Sequence, residues 1–119
     1  MKNIPLILIC IVVFFILKKK FFDTNDYQGM LEKGALILDV RSENEFLTGN
    51  IKNSINIPLQ DIGSDSTLLS DRDQIIITCC ASGMRSAVAK RILKSRGYPN
   101  VVNGGGWSSL NRKINVVQD

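Results

Sequence analysis

Residues 75–86 read Ile-Ile-Ile-Thr-Cys-Cys-Ala-Ser-Gly-Met-Arg-Ser, and this stretch decides the fold of the chain. Its first four residues are β-branched and too few for a helix, so they predict a buried strand. Apolar residues then recur at helical spacing until Gly97 and Pro99 end the pattern. The segment from Cys80 to Arg85 is therefore predicted to be the turn between a strand and a helix.

This turn has the composition of a site for an anion and a reactive thiol. The first amides of a helix have no partner inside the helix, so several N–H groups point at one spot. A cysteine there ionises more easily than a free thiol of pKa about 8.5, because the helix end and the Arg85 guanidinium both favour the thiolate. Gly83 suits a tight loop, and Arg85 offers a planar set of donors for an oxyanion. Cys80 is thus the predicted nucleophile, with Arg85 as its partner.

At these residues the chain resembles a known family. The loop from Cys80 to Ser86 is similar to the C-x-x-G-x-R-S active-site loop of rhodanese-like sulfurtransferases. Further family signatures flank the loop in the family's order, and together they span residues 28–110; one departure is Asn50, where the family usually has histidine. The matching segments are Leu38–Arg41 with Glu45–Phe46, Gly49–Ile51, Ser54–Pro58 and Gly104–Trp107.

The resemblance implies an α/β fold, in which a central, mostly parallel sheet is flanked by helices. It also implies transfer of sulfane sulfur. Cys80 would take the outer sulfur of a small donor such as thiosulfate, hold it as a persulfide, and pass it to cyanide, a thiol or a protein acceptor. Arg85 would close the loop and bind the donor, and no cofactor is implied. The other loop residues would bind the substrate, namely Ala81, Ser82, Gly83, Met84 and Ser86.

Two other functions stay open at this point. Counted from Cys79, the loop has the C-x-x-x-x-x-R spacing of cysteine-dependent phosphatases and of rhodanese-fold relatives that handle phosphate or arsenate. Cys80 is preferred because it gives the sulfurtransferase register, and because Thr78 stands where phosphatases usually have histidine. Cys79 should then point away from Cys80, as a buried small hydrophobe or a resolving thiol. The second alternative is a non-catalytic, membrane-tethered binding module of the same family.

The first 20 residues form a segment of their own. Ile4 to Leu17 is an unbroken apolar run of fourteen residues, preceded by Lys2 and followed by Lys18 to Lys20. As a helix it spans about 21 Å, short of a bilayer core of roughly 30 Å, but no small-residue cleavage site follows it. We therefore expect residues 1–20 to be a membrane anchor, a single N-terminal transmembrane helix. The lysines place the domain on the cytoplasmic side. The alternative is a signal peptide that is cleaved on export.

The remaining residues divide into a linker at 21–27, the rhodanese-like domain at 28–112 and a tail at 113–119. The net charge of +4 comes from the four lysines of the N-terminal segment, since the other eleven Lys and Arg balance eleven Asp and Glu. A neutral domain does not predict nucleic-acid binding. With three cysteines so placed and no histidine, we expect no metal site.

Local elements are predicted before the loop as well. Ala35–Leu38 is a strand candidate that delivers Asp39 and Arg41, and we expect these two residues to hold neighbouring loops together by hydrogen bonds. Ser42 and Glu45 have the spacing of a capping box at the start of a helix.

Elements on either side of the loop region are predicted in the same way. Ser54–Ile57 is the next strand candidate, and Gln60–Asp73 should hold one short helix between loops. After the helix that follows the loop, Asn100–Asn103 is predicted as a last strand and Gly104–Gly106 as a turn.

Overall fold

The computed structural model describes residues 4–21, 25–63 and 71–115. Within them helices and strands largely alternate, which is the pattern of a parallel sheet covered by helices. The elements in chain order are α1 (Ile4–Phe21), α2 (Tyr27–Glu32), β1 (Leu36–Asp39), α3 (Glu43–Thr48), β2 (Ile55–Asn56), a 3₁₀ turn (Leu59–Asp61), β3 (Ile76–Cys80), α4 (Met84–Ser95), β4 (Val101–Gly106) and α5 (Trp107–Asn115).

The strands form one sheet in the order β2-β1-β3-β4, and each neighbouring pair is parallel. Asp39 at the end of β1 lies beside Asn56 of β2 and beside Cys79 of β3. The carboxyl ends of the strands therefore meet at one edge, which is where binding sites of open α/β sheets form. The predicted α/β fold with a central parallel sheet is confirmed.

Alternation of side chains divides the core between the two faces of the sheet. On one face, Cys80 of β3 lies in an apolar cluster with Leu93 of α4. On the other face, Cys79 clusters with Tyr27 of α2 and Leu110 of α5. Helices thus flank both faces, as expected, and the two adjacent cysteines point in opposite directions, as predicted.

The last strand is longer than the sequence pattern predicts. β4 continues to Gly106, where a glycine turn was expected, and the chain then enters α5. A Cβ atom on Gly104 would lie 2.8 Å from Ile77 Cγ2, and one on Gly106 would lie 2.9 Å from the Ala81 oxygen. The glycines therefore allow β4 to approach β3 and the loop after it closely, which corrects their interpretation as a turn.

α5 also covers part of the segment predicted as a tail at residues 113–119, because this helix ends at Asn115. Residues 116–119 lie outside the described residues. The short helix predicted within residues 60–73 corresponds in part to the 3₁₀ turn Leu59–Asp61, and residues 64–70 are likewise outside the described part of the chain.

Asp39 and Arg41 tie the loops at the sheet edge together, as predicted. The Arg41 guanidinium donates to both Asp39 carboxylate oxygens at distances of 2.7–3.0 Å, and both side chains are almost fully buried. The same guanidinium donates to the backbone oxygens of Glu45 and Gly49, at 3.2 and 2.7 Å. It also lies 4.6 Å from the centre of the Trp107 ring, within range of a cation–π contact.

α3 begins with the predicted capping box. Ser42 Oγ accepts a hydrogen bond from the Glu45 amide at 3.2 Å, and Glu45 Oε1 accepts one from the Ser42 amide at 3.2 Å. Two amides that the helix leaves without partners are thereby satisfied. The side chain of Glu45 is held in place by the same contacts, next to the carboxyl ends of the strands.

α1 presents its apolar side chains at the surface, and Leu6 and Phe14 are both 63% exposed. The predicted transmembrane helix is not found, because no helix in the described part of the chain is long and apolar enough to cross a membrane. The apolar run makes up only part of α1, whose C-terminal end contains three consecutive lysines, Lys18 to Lys20.

Replacing Asp39 with alanine should lower the free energy of unfolding by about 3–5 kcal/mol, because removing one partner leaves the Arg41 charge buried without a counter-ion. Urea unfolding of the full chain, followed by the fluorescence of Trp107, measures this change. Glu32→Ala is a matched control, since Glu32 is exposed on α2, and it should cost less than about 0.5 kcal/mol. Equal costs for the two variants would contradict the importance of the buried pair.

Candidate active site

Cys80 is the last residue of β3, and the three residues after it form the turn that leads into α4 at Met84. Gly83 ends this turn with φ 101°, a left-handed conformation that favours glycine. A Cβ atom on Gly83 would also lie 3.3 Å from the Cα atom of Gly105 on β4. Both constraints fix glycine at this position, and the predicted strand–turn–helix arrangement is confirmed.

The Cys80 sulfur is held by the turn in a buried position. Its Sγ atom accepts hydrogen bonds from the Gly83 amide at 2.9 Å and from the Ser86 amide at 3.4 Å. Burial by itself raises the pKa of the Cys80 thiol, but the hydrogen bond with the Ser86 hydroxyl and those from the amides of Ser86, Ser82 and Gly83 outweigh it. The net pKa therefore lies below its ordinary value, and the turn stabilises a negatively charged sulfur.

Asn103 of β4 supports this arrangement and was not identified from the sequence. The Ser86 hydroxyl lies 3.4 Å from Cys80 Sγ and 2.6 Å from Asn103 Oδ1. Asn103 Oδ1 also accepts from the Gly105 amide at 2.9 Å, and Asn103 Nδ2 donates to the Gly83 oxygen at 3.2 Å. One amide side chain thus connects the turn, the first residues of α4 and β4. No local motif signals this role, because its partners Ser86 and Gly83 lie 17 and 20 residues away along the chain.

Arg85 forms an ion pair with a residue outside the loop. Its guanidinium binds the carboxylate of Glu45 on α3 through two hydrogen bonds, at 2.7 and 2.9 Å. The hydrogen bond from Arg85 lowers the pKa of Glu45 to about 2, with help from the Ser42 amide, and Glu45 in turn raises the pKa of Arg85. The lowered pKa of Cys80 comes from the hydrogen bonds of the turn instead. Glu45 is therefore a second residue of the site that sequence reasoning missed.

The other predicted loop residues follow Cys80 in one short segment. Ala81, Ser82 and Met84 are exposed, and Met84 has 79% of its surface accessible. Ser86 is buried, and its backbone oxygen accepts a hydrogen bond from the Thr78 hydroxyl at 2.9 Å. Ala81 and Ser82 lie in the turn and Met84 and Ser86 in the first turn of α4, and their contacts with a substrate remain a prediction.

Cys79 lies in a different environment from Cys80. Its side chain is fully buried on the opposite face of the sheet. Burial, followed by the nearby charge of Asp39, raises the pKa of the Cys79 thiol to about 12. This thiol is protonated at neutral pH. Across the described residues, no three or more Cys, His, Asp or Glu side chains are grouped so that they could hold a metal ion.

Comparison with known proteins gives consistent matches. Residues 23–113 match the family model of the rhodanese-like domain. Thiosulfate sulfurtransferase PspE from Escherichia coli K12 is 33% identical over 74 residues, which cover 61% of this chain and 71% of PspE. A tRNA sulfurtransferase from Thermoplasma acidophilum is 33% identical over 70 residues, 59% of this chain, but the match spans only 14% of that longer protein. The solved structure of a rhodanese with anions from E. coli superposes with a TM-score of 0.60 at 30% identity, covering 63% of this chain and 89% of that one.

Replacing Ser86 with alanine should raise the pKa of the Cys80 thiol, because the sulfur loses its hydrogen bond with the Ser86 hydroxyl, which lowers this pKa. At neutral pH less thiolate is then present, and alkylation of Cys80 by iodoacetamide should slow roughly threefold to tenfold. The measurement is the pH dependence of alkylation, followed at Cys80 by peptide mass spectrometry.

The control for this variant is Ser82→Ala, which removes an exposed hydroxyl from the same turn and keeps the backbone amide. Its alkylation profile should overlay that of the unaltered chain. A profile for Ser86→Ala that is also unchanged would show that the backbone amides alone set the acidity of the thiol.

Proposed function

Since the chain belongs to the family of rhodanese-like domains, we propose that it is a sulfurtransferase that moves sulfane sulfur from a donor such as thiosulfate to a thiophilic acceptor through a persulfide on Cys80. The acceptor is cyanide in a simple assay and a thiol or a protein in the cell. Cys80 is the nucleophile in this proposal, and the turn after it is the substrate-binding segment.

The observation that carries the proposal is the position of Cys80 Sγ against the amides of the turn. The Gly83 and Ser86 amides both donate to this sulfur, and the pKa of the thiol is lowered. Amide donors that are already in position stabilise negative charge without having to reorganise during the reaction. The same donors suit a thiolate before transfer and a persulfide anion after it.

The proposed reaction has two balanced steps. In the first, the Cys80 thiolate attacks the outer sulfur of thiosulfate, a new sulfur–sulfur bond forms, and the bond to the central sulfur breaks. Sulfite leaves with the electron pair of that bond. In the second, cyanide or an acceptor thiolate attacks the outer persulfide sulfur, and thiocyanate or an acceptor persulfide is formed. The Cys80 thiolate is regenerated, so no external oxidant or reductant is consumed.

The phosphatase-type alternative has less support, because it needs Cys79 as the nucleophile. Cys79 is buried on the face of the sheet away from the turn, and burial keeps its thiol protonated. A protonated, inaccessible thiol is a poor nucleophile. The loop register that starts at Cys80 is therefore the better basis for a function.

Incubation of the full chain with thiosulfate should add one sulfur atom to Cys80, and cyanide should remove it again. Intact-mass spectrometry before and after each step measures the change, and peptide mapping locates it. Cys80→Ser should abolish both the added sulfur and the production of thiocyanate.

The matched control is Cys79→Ser, which changes the neighbouring thiol and should leave sulfur loading at Cys80 intact. Absence of added sulfur from the unaltered chain, with every donor tried, would favour a non-catalytic binding module. Release of phosphate from an ester, or reduction of arsenate, would favour the alternative enzyme class instead.

The location of the chain is a separate part of the proposal: the domain faces the cytoplasm. It is supported by the need of a reactive thiol for a reducing compartment, since the cytoplasm keeps thiols reduced whereas an exported domain meets oxidising conditions.

Protease added to intact cells that express the full chain should leave the domain uncut, and cleavage should occur only after the cells are permeabilised. A known cytoplasmic protein in the same cells serves as the control for integrity. Cleavage in intact cells would contradict the cytoplasmic location and favour export.

A further inference from the structure

The two charged side chains at the site form an ion pair with each other, although the proposed donor is an anion. Within the loop from Cys80 to Ser86, Arg85 is the one charged residue in the sequence. Its guanidinium is engaged by both carboxylate oxygens of Glu45, at 2.7 and 2.9 Å. The positive charge at the mouth of the site is therefore balanced by a negative charge beside it.

Glu45 is also fixed in this position by its own helix. Its Oε1 atom accepts from the Ser42 amide, and its backbone oxygen accepts from the buried Arg41 guanidinium. The pKa of Glu45 is lowered to about 2, first of all by the hydrogen bond from Arg85, so this carboxylate is ionised throughout the physiological range. The compensating charge is thus a built-in feature of the site.

The rim of the site is apolar on the side of α4. Met84 is 79% exposed, and Val88 follows it four residues later, on the same face of the helix, with 36% of its surface exposed. An inorganic dianion has no apolar surface to bury against these side chains, whereas a donor with an organic group can bury part of that group there.

From these observations we propose that Glu45 is a specificity-determining residue, which disfavours dianionic sulfur donors and favours organic donors that carry at most one negative charge. The inference rests on the proposed sulfur transfer through Cys80 and names the class of its donor. Suitable donors are thiosulfonate anions and the persulfides of organic thiols. Thiosulfate remains a usable but unfavoured donor.

The physical reason is a competition for Arg85. A donor that binds the guanidinium must displace the Glu45 carboxylate, or bind close to it and be repelled. Coulomb energy scales with the product of the charges. The attraction to Arg85 that Glu45 cancels, and the repulsion by Glu45, are therefore both about twice as large for a dianion as for a monoanion. The neutral amides of the turn remain available to either donor.

The test compares two donors that react by the same chemistry and differ by one charge. Thiosulfate loses sulfite, and the methanethiosulfonate anion loses methanesulfinate when the Cys80 thiolate takes its outer sulfur. Glu45→Gln removes the negative charge and keeps the capping box, because glutamine also accepts at this position. The value of kcat/KM for each donor, measured by thiocyanate production, reports the first step alone.

Glu45→Gln should raise kcat/KM for thiosulfate about twofold to fivefold, as expected for loss of one partly exposed ion pair, and should change kcat/KM for methanethiosulfonate less. Glu43→Gln is the matched control. Glu43 is exposed on the same helix, and within the described residues it forms no ion pair. This control should leave the ratio of the two kcat/KM values unchanged.

A second measurement uses the unaltered chain. Because the mouth is charge-balanced, kcat/KM for thiosulfate should vary little between about 0.01 and 1 M salt, a range over which the Debye length falls from about 30 to 3 Å. In Glu45→Gln it should fall as salt is added.

The proposal is overturned if Glu45→Gln and Glu43→Gln give the same donor ratio, or if kcat/KM of the unaltered chain for thiosulfate falls steeply with salt. Either result, obtained while Cys80 still gains sulfur, would leave the sulfurtransferase function in place. Loss of sulfur loading at Cys80 with both donors would instead overturn the function itself.

Discussion

The buried ion pair between Asp39 and Arg41 is the interaction on which the arrangement of the site depends. A guanidinium that is removed from water must find partners for its donors, since an unpaired buried charge costs several kcal/mol. Asp39 provides the counter-charge, and the remaining donors of Arg41 reach the backbone oxygens of Glu45 and Gly49. The need to satisfy one buried charge thus fixes the position of α3 relative to the carboxyl end of β1. Because the strands are in parallel register, the same end of the sheet carries the cysteines of β3.

A second ion pair, between Glu45 and Arg85, lies nearer the surface and is connected to the first. Glu45, held by Arg41 through its backbone oxygen, pairs with Arg85 on α4 and thereby links α3 to α4. The inner pair is almost fully buried, whereas the side chains of the outer pair are 39% and 37% exposed. Solvent screens the outer pair, so it contributes little to stability but can respond to a bound anion. The inner pair positions the site, and the outer pair sets the charge that a substrate meets.

Features encoded by neighbouring residues could be predicted from the sequence, and features that depend on distant partners could not. The strand before Cys80, the helix after the turn and the capping box of Ser42 and Glu45 all follow from local spacing. The contact of Glu45 with Arg85 joins residues 40 positions apart, and that of Ser86 with Asn103 joins residues 17 apart. The extension of β4 through three glycines has the same origin. Glycine disfavours a strand locally, but here Ile77 leaves no room for a side chain at Gly104, and Ala81 leaves none at Gly106.

The adjacent cysteines show how strongly a single step along a strand changes chemistry. Successive side chains of β3 point to opposite faces, so one of the two thiols must enter the layer beneath α5 and the other must face the turn. In the first environment burial and the nearby charge of Asp39 outweigh the opposite effect of Arg41, and the pKa of Cys79 rises to about 12. In the second, amides and a hydroxyl outweigh burial, and the pKa of Cys80 is lowered. The register of the strand therefore determines which of the two thiols has the lowered pKa. Insertion of one residue between Thr78 and Cys79 would turn Cys79 to the face of the sheet that Cys80 now occupies, even though both cysteines remained in the sequence.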